Sequence, residues 1–337
     1  MEQRRLEAVI EKVAEEKEID VFEKKQLYQK LELKVTDGFK KGETITVENG
    51  NFPAAQVIRY RVGDEVVVTV SQNPEGGTLF QISDYVRRTP LYILFGIFAV
   101  LTFLVGRLKG LTSLLGMGFS FLIIFVFILP QILAGGDPIL ISIIGALFMI
   151  PVTFYLSHGF NKKTTVAIIG TVLALVVTGI LSQIFVTASN LTGFVSEEAG
   201  FLQLALGGAV NIKGLLLAGI IIGVLGVLDD VTVSQAAVVE QLKKANSSLK
   251  PAEIYKKAMS VGRDHIASMV NTLVLVYTGA SMPLLLLFVN NPQPFTEVLN
   301  YEIIANEIIR TLVGSIGLIL AVPIATFIAA VATVKEK

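Results

Sequence analysis

The stretch "GLLLAGIIIGVLGVLDDVTVSQ" (residues 214–235) decides the fold. Its first fifteen residues carry no charge, and such a run reads as the body of a membrane-spanning helix. Two carboxylates, Asp229 and Asp230, then arrive before the apolar pattern ends at Glu240. An aspartate at mid-bilayer costs about 2.5 to 3.5 kcal/mol on insertion scales, so intramembrane acids are functional suspects by default. Counted from Lys213 at about 1.5 Å per residue, Asp229 lies roughly 24 Å down, just short of the far boundary. On this count the pair either ends a short span or, because Val231, Ala237, Val238 and Val239 keep the helix apolar, faces other helices with Thr232 and Ser234.

The rest of the chain agrees with a membrane setting. Of its 337 residues, 53% are hydrophobic and 17% charged, and the mean hydropathy is +0.67, values outside the soluble range. Charge-free runs at 89–106, 110–136, 138–161, 164–196, 265–296 and 311–334 join 214–228 to give an expected seven spans. The shorter run at 199–212, broken by Gly207 and Gly208, is expected to be interfacial or re-entrant. Gly219, Gly223 and Gly226, like Gly314 and Gly317, are spaced for close helix packing.

Residues 1–88 differ in kind. They hold 14 basic and 16 acidic residues, half or more of each class in about a quarter of the length. Leu27, Leu31, Leu33 and Val35 alternate with polar neighbours, as do Val66, Val68 and Val70, a period of two that reads as strand. Turn signals at 37–43, 48–53 and 73–77 separate further short strands near 44–48, 56–61 and 79–82. The start, "RRLEAVIEKVAEEKE", fits helix or strand, and the strand would complete a small β-barrel of the oligonucleotide-binding-like (OB-like) kind. The expected architecture is therefore an α-helical polytopic membrane protein, with residues 1–88 as an extracytoplasmic β-rich domain and 89–337 as the membrane domain. Residues 240–264 form a cytoplasmic amphipathic segment within it.

Basic residues set the orientation. With 1–88 outside, Arg107, Lys109, Lys162, Lys163, Lys243, Lys244, Lys250, Lys256, Lys257, Arg263, Lys335 and Lys337 fall on the cytoplasmic side, against Lys213 and Arg310 outside, with Arg87 and Arg88 at the outer end of the first span as the exception. The carboxyl terminus is then cytoplasmic. An exported domain ordinarily follows a signal or anchor, which "MEQRRLEAVIEKV" is not. Three expectations remain: a first hydrophobic helix precedes the chain as given, which the basic residues favour; or the first span exports the domain; or the topology is inverted.

Pro251 and Glu253 open a helix with Ile254, Ala258, Val261, His265 and Met269 on one face. It delivers "VGRDH" (261–265) to the inner boundary, where Arg263, Asp264 and His265 are expected to meet Asp229 and Asp230, and Asn271 to continue the polar path. An ion pair that pins two helix ends is the alternative to a cation or proton site. No metalloprotease, nucleophile-elbow or phosphate-loop motif occurs, and there is no cysteine. Neither an enzyme, a cofactor nor a metal is expected. Mixed charges without a basic stripe give no sign of nucleic-acid binding.

The blocks "GIIIGVLGVLDDVTVSQAAVVEQLKKAN" (219–246), "KKAMSVGRDHIASMVNTLVLVYTGASMPLLLL" (256–287) and "EIIRTLVGSIGLILAVPIATFIAA" (307–330), with "VGRLKG" (105–110) and "HGFNKKT" (158–164), resemble the YibE/F-like family of bacterial multipass membrane proteins. The likeness covers nearly the whole chain and is most specific from VGRD to MVNTL. It implies a polytopic bacterial plasma-membrane protein, with an added hydrophobic helix before the outer domain in relatives that carry one. It also implies a single acid best matched by Asp230. It implies no activity. The function expected from the residues is a transporter or channel for a small solute or ion, embedded in the lipid bilayer as a homo-oligomer or beside a related membrane subunit. The other expectation is a non-transporting sensor or assembly protein whose outer domain binds an envelope partner.

Overall fold

The structure is a computed structural model that describes residues 4–21, 24–54, 57–72, 77–290 and 293–332. Lys335, Lys337 and most of the turn expected at 73–77 lie outside the described residues. Two compact units divide the chain, Met1–Val100 and Leu101–Lys337.

Five antiparallel strands, β1 (Arg4–Val21), β2 (Lys24–Asp37), β3 (Thr44–Asn49), β4 (Glu65–Gln72) and β5 (Thr78–Tyr85), pair in the order β3-β2-β1-β4-β5. The alternating positions behave as their period demands: Leu6, Ala8 and Ile10 of β1, Leu31, Leu33 and Val35 of β2, Ile45 and Val47 of β3, and Val66 and Val68 of β4 share one core. Gln29 is fully buried there. Its Nε2 donates to the Tyr60 carbonyl at 2.9 Å, and its Oε1 accepts the Tyr60 N–H at 2.9 Å. Burial pushes the Tyr60 hydroxyl up to about 12.

This sheet corrects the expected OB-like barrel. Among the described residues no ladder joins β3 to β5, so the sheet is not closed into a barrel. The described part of the strand expected at 56–61 is irregular, and its main-chain groups bond to side chains instead: Tyr60 to Gln29, and the Ile58 carbonyl to Asn49 Nδ2 at 2.8 Å. A ladder partner that could have helped close the sheet is thereby removed. A cleft of 450 Å³ lined by Lys30, Thr46, Glu48, Phe52, Leu79 and Phe80 lies between the edges.

Helix α1 (Arg88–Leu122), a π-helical turn (Ile123–Ile128) and α2 (Leu129–Leu133) run on as one 46-residue segment. Arg107 breaks it, with φ 53° and ψ −134°, and Gly110 comes against the Thr102 carbonyl. Then follow α3 (Pro138–His158), α4 (Lys162–Ala188), α5 (Glu197–Ala205), α6 (Ile212–Ala245), α7 (Pro251–Ala280), α8 (Met282–Asn290), α9 (Phe295–Val298) and α10 (Glu302–Ala332). Caps fix where several begin: Asp137, Asn161, Ser196 and Asn211 each accept a main-chain N–H from the first turn of α3, α4, α5 and α6.

Among the described residues five helical segments are long and apolar enough to cross a membrane, six if α7 and α8, bent by 66°, count as one span. Seven were expected. The difference arises at 89–106 and 110–136: they count as one 46-residue segment by length and composition, yet Arg107 separates two helices at the boundary expected between them. The expected amphipathic segment 240–264 is likewise not one element, because it ends α6, turns at 246–250 and begins α7. The run at 199–212 contains the end of the short helix α5 and a turn in which Gly207 and Gly208 take positive φ.

Helices α4, α6 and α10 pack on one another, α7 lies on α10 and α6, and α3 lies on α6. Small residues make the α4–α10 approach possible. A Cβ on Gly170 would stand 3.1 Å from that of Ala325, and one on Gly317 would collide with Thr178. Gly314 meets Val224 of α6 in the same way at 3.3 Å. Gly219 and Gly226 have nothing within 4 Å, and Gly223 only the Tyr277 hydroxyl at 3.9 Å, so the packing role expected for the α6 glycines falls to α4 and α10. At one end of the bundle, Glu302 accepts the N–H groups of Thr192 and Gly193 at 2.6 and 2.8 Å, which ties α10 to the loop after α4.

Candidate functional site

Buried polar contacts hold α6 in rotation. Thr232 meets Thr171 of α4 at 2.6 Å, and Gln235 Oε1 accepts from Thr326 of α10 at 2.9 Å. Those residues face the core, so the helical period turns Asp229 toward α1 and α3. There it lines a cavity of 360 Å³ with Ser113, Gly116, Met117 and Ser120 of α1. Thr153 and Ser157 of α3 and Gly226 of α6 complete its more polar side, and Ile124 of the π-helical turn stands in the wall. Asp229 Oδ1 is buried and has no hydrogen-bond partner among the described residues. Its neighbour Asp230 is exposed and lies within electrostatic reach of His158 at the end of α3, as do Lys109 and Lys163.

The expected convergence with "VGRDH" takes another form. Gly262 is the residue of that motif packed inward: a Cβ there would meet Val322 at 2.6 Å and Gln235 at 3.2 Å. One and two residues on, Arg263 and Asp264 consequently point away and are exposed, as is Asn271, while His265 is half-buried. Among the described residues no hydrogen bond or ion pair joins any of the four to Asp229 or Asp230. The structure thus gathers Asp229 with hydroxyls from α1 and α3 and leaves Arg263, Asp264 and Asn271 on the outer side of α7. No group of three metal-ligating side chains occurs among the described residues.

The cavity hydroxyls were missed in the sequence although a signal exists. Ser113, Gly116, Met117 and Ser120 fall at spacings of three and four, and Met149, Thr153 and Ser157 at four. Each set is one helix face, small or polar within an otherwise apolar run.

At one end of the bundle Lys162, Lys163, Lys243 and Lys244 line a second cleft, of 310 Å³, together with Glu240. Glu240 pairs with Lys244 at 2.6 Å and with Lys163 at 3.7 Å.

Two family models match the chain: YibE/F-like protein over residues 94–335 and YibE/F family N-terminal domain over residues 4–85. No curated protein and no solved structure matches it. The chain is a multipass membrane protein and belongs to the YibE/F-like family.

Proposed function

We propose that the protein moves a small solute or ion across the bacterial plasma membrane through the cavity beside Asp229. The observation that carries this reading is a carboxylate with one buried, unpartnered oxygen on a residue that lines, with four hydroxyls, a cavity between membrane helices. Depth supports it. The Lys163–Glu240 pair is a boundary marker, and Asp229 stands eleven residues further along α6, about 16 Å at 1.5 Å per residue. That is close to the middle of a hydrocarbon core of roughly 30 Å. An acid held there without a partner is costly, and such residues line ion and substrate pathways. Asp230 and His158 would form the mouth of the path on the lysine side.

The four lysines gathered at one bundle end favour that end as cytoplasmic, with the amino-terminal sheet outside. Lacking a phosphate loop in its sequence, the protein would couple to an ion gradient or act passively. The cleft between β3 and β5 favours a second reading, in which the outer domain binds an envelope partner and transport is absent.

The absence of cysteine gives a direct test. Single substitutions Ser120→Cys, Thr153→Cys and Ser157→Cys should react in membranes with a water-soluble, membrane-impermeant thiol reagent. Leu173→Cys, exposed on the outer face of α4, should not. If the three cavity thiols stay as inert as the control, the path is dry and the reading fails.

A further inference from the structure

We infer that the cavity beside Asp229 binds a hard monovalent cation of the alkali series; this rests on the transport reading and deepens it. Sign comes first. No Lys, Arg, His, Asn or Gln side chain lines the cavity, so its side-chain chemistry is one carboxylate and four hydroxyls among apolar groups and two thioethers. The hydroxyl protons are partly committed elsewhere: Ser120 Oγ donates to the Gly116 carbonyl at 3.2 Å, and Thr153 Oγ1 to the Met149 carbonyl at 2.8 Å. Those oxygens offer lone pairs to the cavity, not protons. An anion meets repulsion there, and a neutral solute leaves the buried Asp229 Oδ1 uncompensated.

Charge and hardness narrow the class further. One carboxylate balances one positive charge. Calcium takes about six to eight oxygen ligands, commonly with several carboxylates, and magnesium keeps a shell of water that resists removal. Hydroxyl and carboxylate oxygens suit hard ions, and the absence of imidazole and thiolate from the lining disfavours softer transition metals. An alkali ion matches both the single charge and the neutral oxygen donors.

The experiment follows thermal unfolding of the purified full chain in detergent, in choline chloride and in lithium, sodium or potassium chloride at equal ionic strength. At least one alkali ion should raise the midpoint by roughly 3 °C or more when saturating, by mass action on the folded state. The shift should vanish in Asp229→Asn, weaken in the Ser120→Ala, Thr153→Val pair, and persist in Asp264→Asn, which lies on the outer side of α7. The inference is overturned if no alkali ion exceeds choline, or if Asp229→Asn keeps the full shift. Reactive cavity thiols without any cation shift would sink the cation and leave the pathway standing. Unreactive thiols would remove the pathway itself.

Discussion

Asp229 and the Arg263–Asp264 pair are charged groups on helices that pack together, yet they face opposite kinds of surroundings. On α6 the carboxylate turns toward α1 and α3 and shares a cavity with hydroxyls. On α7 the neighbouring Gly262 takes the inward position, so the two charges turn out. The lesson is that a packed residue beside a charge fixes where the charge points, and that the charge itself does not choose. A buried, unpartnered carboxylate oxygen is expensive, whereas exposed charges contribute little to stability.

Substitutions at the two places should therefore separate cleanly. The largest effect is expected at Asp229. Removing its charge with Asp229→Asn should lower cation movement by about 100-fold, equivalent to roughly 2.7 kcal/mol. The same change should not lower the unfolding midpoint in choline, because no folded-state partner is lost. Next comes Gly262→Leu, which forces a side chain against Val322 and Gln235 and should cost about 1 to 3 kcal/mol by denaturant unfolding in detergent. Thr326→Val removes the hydrogen bond to Gln235 and should cost about 1 kcal/mol in the same assay. The smallest effects belong to Arg263→Gln and Gly219→Ala, each within about 0.5 kcal/mol, since Arg263 is exposed and a Cβ on Gly219 meets nothing within 4 Å among the described residues. A stability loss at Arg263 as large as at Gly262 would break the comparison.

The sheet was readable because its strands bury one face, so the period of two at Leu31, Leu33 and Val35 names the core directly. Closure was not readable, because it depends on whether β3 and β5 exchange main-chain bonds, which side-chain pattern does not encode. The expected strand at 56–61 failed for a local reason: Gln29 and Asn49 satisfy the backbone there. Composition named the membrane helices as a class. The charges at Arg107 and Lys109 marked the break between 89–106 and 110–136, but the inward faces were not legible, since a membrane helix is apolar toward lipid and protein alike. Asp229 was therefore identified as unusual, but its neighbours on α1 and α3 were not.

The most direct test is uptake, into sealed vesicles containing the purified chain, of whichever alkali ion most raises the unfolding midpoint. The wild type should exceed protein-free vesicles, Arg263→Gln should stay within about threefold of it, and Asp229→Asn should fall to the protein-free level. Uptake by Asp229→Asn at the wild-type rate, or no uptake by the wild type, would contradict the account.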